Sequence, residues 1–159
     1  MNKAELLKQI ILKLKADYDL LLQAAKSSHA AATHEDNVPD SKYETLALEA
    51  SYIAQGQANR AQEVKQALDE YRGLKSQDFA GDAPIRLTAL VLLEDEVGTQ
   101  RLVFIGPAAG GLRLDLAAQE VMVITPDSPL GEQLIGQQCG DEFELEGPII
   151  RQYEILDVC

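Results

Sequence analysis

Tryptophan is absent from the 159 residues, and cysteine and histidine occur only twice each. Cys139 and Cys159 have neither CxxC nor zinc-ligand spacing, and two thiols make no disulfide framework. The histidines, His29 and His34, form no pair at metal-binding spacing. No apolar run is long and uncharged enough to span a membrane, and Lys8, Lys13, Lys15 and Asp17 interrupt any signal-peptide core near the start. A cytoplasmic protein is expected. The sequence also lacks a nucleophile elbow and a phosphate-binding loop. Gly106-Pro107-Ala108-Ala109-Gly110-Gly111 is glycine-rich without GxGxxG spacing and reads as a loop between strands. A self-sufficient enzyme is not expected.

Basic residues are scarce as well, and unevenly so. The formal net charge is −12. Residues 1–80 hold 10 Lys and Arg against 12 Asp and Glu, whereas residues 81–159 hold 4 against 14. So acidic a second half is poorly suited to gripping a phosphate backbone, which needs clustered cations. Its charge serves solubility or attraction to a basic protein surface.

What is present is two long helical patterns followed by short strands. Leu7, Ile11, Leu14, Tyr18, Leu21, Ala25, Ser28 and Ala32 alternate steps of four and three, the spacing of a coiled-coil seam. Leu46, Ala50, Ile53, Gln57, Arg60, Val64, Ala67, Tyr71 and Leu74 repeat the rule. Ala47, Ala54, Ala58 and Ala61 add small residues that let two helices approach closely, and Gly56 costs about 1 kcal/mol against Ala. A short connection makes the helices run opposite ways as an antiparallel hairpin; the alternative is that one arm belongs to a bundle or an intermolecular coiled coil.

From Gly73 to Pro84 the pattern dissolves into Gly, Pro and small polar residues, the composition of a linker. Ile85–Leu93, Arg101–Ile105, Val121–Ile124, Phe143–Leu145 and Tyr153–Val158 then read as strands. Ser128 suits an N-cap and Pro129 the first helical position, with Gly136 as the stop, so a helix of one or two turns is expected on a mostly antiparallel sheet. The expected division is a hairpin over 1–75, a linker over 76–84 and an α+β domain over 85–159.

Between the two helical patterns, Glu35, Asp36, Asp40 and Glu44 fall within ten residues, among the turn formers Asn37, Pro39 and Ser41. Turns select such residues anyway. Carboxylates at the end of a hairpin are also hard oxygen ligands, and Mg²⁺ takes one or two of them while keeping water or substrate oxygens. His34 beside Glu35 adds little to such a set.

These features resemble the GreA/GreB transcription elongation factors over essentially the whole chain. Ile124-Thr-Pro-Asp-Ser128-Pro129, Leu134-Ile-Gly136, Gly140-Asp141 and Tyr153-Glu-Ile155 are similar to that family's Ser-Pro, Leu-x-Gly, Gly-Asp and Tyr-Glu-Ile signature. Arg101-Leu-Val-Phe-Ile-Gly106 resembles the preceding strand and glycine. At the turn, cleavage-active members carry Gly-Asp-Leu-x-Glu-Asn shortly before Glu-Tyr. Setting Tyr43 on that tyrosine puts Asp36 on the family's aspartate and Pro39 on its glutamate, with Asp40 one place away. Glu35 stands where the family has glycine, and Lys42 where it has glutamate.

The resemblance implies an FKBP-like C-terminal domain, docked at the rim of the secondary channel of RNA polymerase while the hairpin enters it. Asp36 and Asp40, supported by Glu35 and Glu44, would then share Mg²⁺ with the polymerase active site and stimulate cleavage of backtracked RNA near its 3′ end. The factor would itself be no enzyme and would act as a monomer. One alternative is a channel-binding regulator or inhibitor that does not promote cleavage. Another is a prolyl isomerase or chaperone, for which residues 84–159 offer only Phe104, Phe143 and Tyr153 as an aromatic lining.

Overall fold

The computed structural model describes residues 2–33 and 41–159. Two long helices, α1 (Lys3–Thr33) and α2 (Ser41–Gly73), precede β1 (Leu90–Asp95), β2 (Gln100–Ile105), β3 (Arg113–Leu116), β4 (Gln119–Ile124), α3 (Pro129–Leu134), β5 (Glu142–Leu145) and β6 (Arg151–Val158). This is the expected α+β order of helical hairpin and then sheet. Two compact units result, Met1–Ile10 with Glu70–Cys159, and Ile11–Asp69.

The first unit is built on a six-stranded sheet of order β3-β4-β2-β1-β6-β5. All neighbouring pairs are antiparallel except β2 and β4, which run parallel with Leu102 opposite Val121 and Ile105 opposite Ile124. The sheet is therefore mixed rather than wholly antiparallel. Its parallel pair exists because β3, absent from the sequence expectation, folds back on β4 at the sheet edge. Ala117 and Ala118, the two residues between them, have φ of 50° and 67°. Positive φ at both central positions is the type I′ geometry that matches strand twist. Alanine is an unusual choice there, so the hairpin carries no Asn-Gly signal.

One sheet face packs Val91, Leu93, Val103, Ile105, Ile124 and Ile155 with Leu134 of α3. The same core includes Phe143 and Tyr153, whose rings stack at 5.6 Å. The short helix forms where expected, because Ser128 Oγ accepts from Gly131 N–H at 3.0 Å and Pro129 occupies the first turn. Gly136 follows it at φ 86°.

The first expected strand begins five residues late. Thr88 is fully buried at φ 74°, a conformation rare for a β-branched residue. Its polar groups explain the break. Thr88 Oγ1 accepts from Gln77 N–H at 3.0 Å, and its carbonyl accepts from Lys3 Nζ at 3.4 Å. Lys3 also donates to the Gln77 carbonyl and lies 4.7 Å from the Phe79 ring centroid. Burial holds this ammonium below the usual lysine range. One cation thus joins the first turn of α1, the segment after α2 and the approach to β1. In these first turns the buried apolar residues are Leu6 and Ile10, with Leu7 and Ile11 half-buried, and Met1–Ile10 belongs to the sheet-bearing unit.

The C-terminal turn of α2 is fixed to the same unit. Tyr71 is 1% exposed, and its hydroxyl donates to the Ala108 carbonyl at 2.8 Å. Burial, with Glu70 adding to it, raises the phenol above its usual range and keeps it a donor. Gly106 lies against that hydroxyl: a Cβ at this position would overlap Tyr71 Oη and reach Val123 Cγ1 at 3.0 Å. Overpacking of this kind costs about 1–3 kcal/mol. Denaturant titration is expected to show a loss of that order for Gly106→Ala, partly recovered when Tyr71→Phe removes the obstructing oxygen.

Candidate functional site

The second unit carries the elements that flank the acidic segment. At 1.5 Å per residue, α1 is about 46 Å long and α2 about 50 Å. Asn2 caps α1, its Oδ1 accepting from Glu5 N–H at 3.2 Å. Within the unit, Leu14 and Ala25 are buried and Tyr18, Leu21 and Ser28 half-buried, as the seam in α1 predicts.

In α2 one of the two expected columns is right throughout, and the other only towards its C-terminal end, where Ala67 is buried. Ala50, Gln57 and Val64 lie in the contact, half-buried, but Leu46, Ile53 and Arg60 are exposed. Their places are taken by Ala47, Ala54, Ala61 and Leu68. The steps Ala47, Ala50, Ala54, Gln57, Ala61, Val64 and Leu68 alternate three and four without a break. The column of alanines therefore faces α1, and the larger aliphatic side chains turn outward.

A hydrogen bond from Ser28 Oγ to Gln57 Oε1 at 2.9 Å marks the register. Antiparallel helices of equal rise then set Ala25 about level with Ala61, Leu21 with Val64 and Tyr18 with Leu68. Two alanines at one level permit close approach. In the same register Thr33, the last residue of α1, falls level with Tyr52. Over the first turns of α2, Leu46, Leu48, Tyr52 and Ile53 are all more than half exposed. Sequence periodicity hid this apolar surface by assigning Leu46 and Ile53 to the seam.

Of the candidate site residues, Glu35, Asp36 and Asp40, with His34, lie outside the described residues. Glu44 is in the first turn of α2. The site is thus defined by what brackets it: one paired helix ends at Thr33, the other begins at Ser41, and seven residues join them. Among the described residues no group of three His, Cys, Asp or Glu is placed to hold a metal ion. No helix there is long and apolar enough to cross a membrane.

No protein-family model and no curated protein sequence matches the chain. Its structural neighbours are Gre-type transcription factors. GreA factor homolog 1 of Thermus thermophilus is similar at 22% identity, over 96% of this chain and 94% of that one, with a TM-score of 0.41. Gfh1 of Thermus aquaticus is similar at 22% identity, over 95% and 92%, with a TM-score of 0.39. A GreA/GreB elongation factor from Nitrosomonas europaea is similar at 18% identity, over 60% and 78%, with a TM-score of 0.38.

Gly56 offers a direct probe of the hairpin. It sits inside α2, is exposed, and a Cβ there would meet nothing within 4 Å. Gly56→Ala is expected to stabilise the hairpin by about 0.5–1 kcal/mol through helix propensity alone. Amide hydrogen exchange along α2 is the readout, with slower exchange in the variant.

Proposed function

We propose that this chain is a transcription elongation factor whose hairpin enters the secondary channel of RNA polymerase and stimulates cleavage of backtracked RNA. The observation that carries the reading is that the sequence segment holding Glu35, Asp36, Asp40 and Glu44 runs from the end of α1 into the first turn of α2. The spaced C-terminal signature, from Ser128-Pro129 to Tyr153-Glu154-Ile155, supports the family to which that arrangement is assigned. A narrow helical finger is a means of delivering charge into a site owned by another macromolecule.

Within this reading Asp36 and Asp40 are the principal ligands and Glu35 and Glu44 supply further negative potential. Mg²⁺ takes one or two such carboxylates as hard oxygen ligands and keeps water or substrate oxygens for the rest. Together with the polymerase's own ion, a Mg²⁺ held there would supply the two-metal stabilisation of attacking and leaving oxygens in phosphodiester hydrolysis. The carboxylates position water and the RNA 3′ end, while the hairpin fixes their depth. The exposed Leu46, Leu48, Tyr52 and Ile53 give the inserted end an apolar flank for the channel wall. The factor acts as a monomer in the cytoplasm and hydrolyses nothing alone, and the sheet-bearing unit docks at the channel rim.

The departures at the turn favour a second reading. Pro39 stands at the family's glutamate position and Asp40 one place on, a shift that fits a channel-binding regulator which does not promote cleavage. The two readings separate in a stalled elongation complex with Mg²⁺. The cleavage reading expects added protein to shorten the transcript, and Asp36→Ala or Asp40→Ala to reduce that cleavage at least tenfold while polymerase binding survives. Lowered transcription without shortened RNA would select the second reading and dismiss the first.

A further inference from the structure

The end of the sheet formed by the β1–β2 and β5–β6 turns combines two features that seldom coincide on a solvated surface. Val97 in the first turn and Ile149 and Ile150 in the second are 76%, 68% and 61% exposed. Turn tips ordinarily carry polar residues. The two turns lie at one end because Asp95 pairs with Tyr153 across β1 and β6. Gln152 N–H donates to Glu96 Oε2 at 3.2 Å, and Arg151 meets Asp95 at 3.2 Å.

Beside these tips is a cleft of about 340 Å³ lined by six acidic residues and no basic one. The strand registers put Glu94 opposite Glu154, and Glu154 opposite Glu142, so three glutamates form one row across β1, β6 and β5. Like charges directly opposite on neighbouring strands are destabilising. Neutral side chains answer them: Gln100 donates to Glu94 at 2.8 Å and Gln152 to Glu144 at 3.0 Å. Arg151, the nearby cation, is engaged with Asp95. Asp95 itself is held below the usual carboxylate range, first by the Thr99 N–H. Phe143 and Tyr153 also border it, with their rings in the core of the opposite sheet face.

We propose that this sheet end is a docking surface for a basic amphipathic helix of a second protein, with Val97, Ile149 and Ile150 meeting its apolar face and the Glu94–Glu154–Glu142 row meeting its lysines or arginines. Charge complementarity selects the partner: cations opposite the row relieve repulsion already present in the free protein, and apolar contact covers side chains otherwise in water. This surface is separate from the acidic segment between the helices, and the inference does not depend on the function proposed for that segment.

The test uses the full chain and a synthetic 18-residue Lys/Leu helical peptide carrying one tryptophan. The protein has none, so the indole signal reports the peptide alone. A Lys/Ser peptide of equal charge is the control for general attraction to an acidic chain. Preferential binding of the Lys/Leu peptide by at least tenfold is expected. The triple variant Val97→Ser, Ile149→Ser, Ile150→Ser should weaken it at least fivefold. Glu142→Gln with Glu154→Gln, which keeps the apolar tips, should weaken it and flatten its salt dependence. Equal binding of the two peptides, unchanged affinity in either variant, or no binding would each overturn the proposal.

Discussion

Pairing of two long helices over a seam that includes a column of alanines is the constraint on which the hairpin depends. A coiled-coil seam filled with leucine and isoleucine would gain more from burial. With Ala54 and Ala61 on α2 and Ala25 on α1 buried, the seam gives up some of that burial, and small side chains are what permit two helices to pack closely. The Ser28–Gln57 hydrogen bond fixes a register within an otherwise small-residue contact. With the alanine column in the contact, Leu46, Leu48, Tyr52 and Ile53 are left exposed.

The sheet-bearing unit is fastened by polar groups at two places where chain segments converge. Lys3 gathers the carbonyls of Gln77 and Thr88, and Tyr71 reaches the carbonyl of Ala108 across Gly106. Both are buried donors with satisfied partners, which is how a polar atom is tolerated in a core. Removing either partner would leave a buried group unmet, at a cost of about 1–3 kcal/mol. They make the first turns of α1 and the last turn of α2 part of the sheet's own unit.

Much of this was legible in the sequence, and the exceptions have physical causes. The helices, α3 with its Ser128 cap and five of the six strands follow from periodicity, capping and turn residues. β3 was hidden because Arg-Leu-Asp-Leu is short and its turn is built from Ala117 and Ala118. The start of β1 was hidden because Thr88 serves Lys3 and Gln77 instead of a ladder. In α2, hydrophobicity pointed to Leu46 and Ile53, while the small-residue pattern, visible in the same stretch, was the better guide to the contact. The acidic segment was found by composition, and the residue-by-residue setting on Asp36 and Asp40 rests on resemblance alone. The exposed tips Val97, Ile149 and Ile150 carried no sequence signal, since an aliphatic residue beside Gly or Pro reads equally well as buried.

The account turns on one idea, that the segment between the helices works inside a site belonging to another molecule. A crosslink from that segment tests it most directly. In a chain carrying Cys139→Ser and Cys159→Ser, Asn37→Cys would bear a short photoreactive group and be added to backtracked RNA polymerase complexes with labelled RNA. The account predicts crosslinks to the 3′ end of the transcript and to the catalytic subunit close to its metal. Crosslinks confined to the outer surface of the polymerase, or none above a label placed at Gln55, would contradict it.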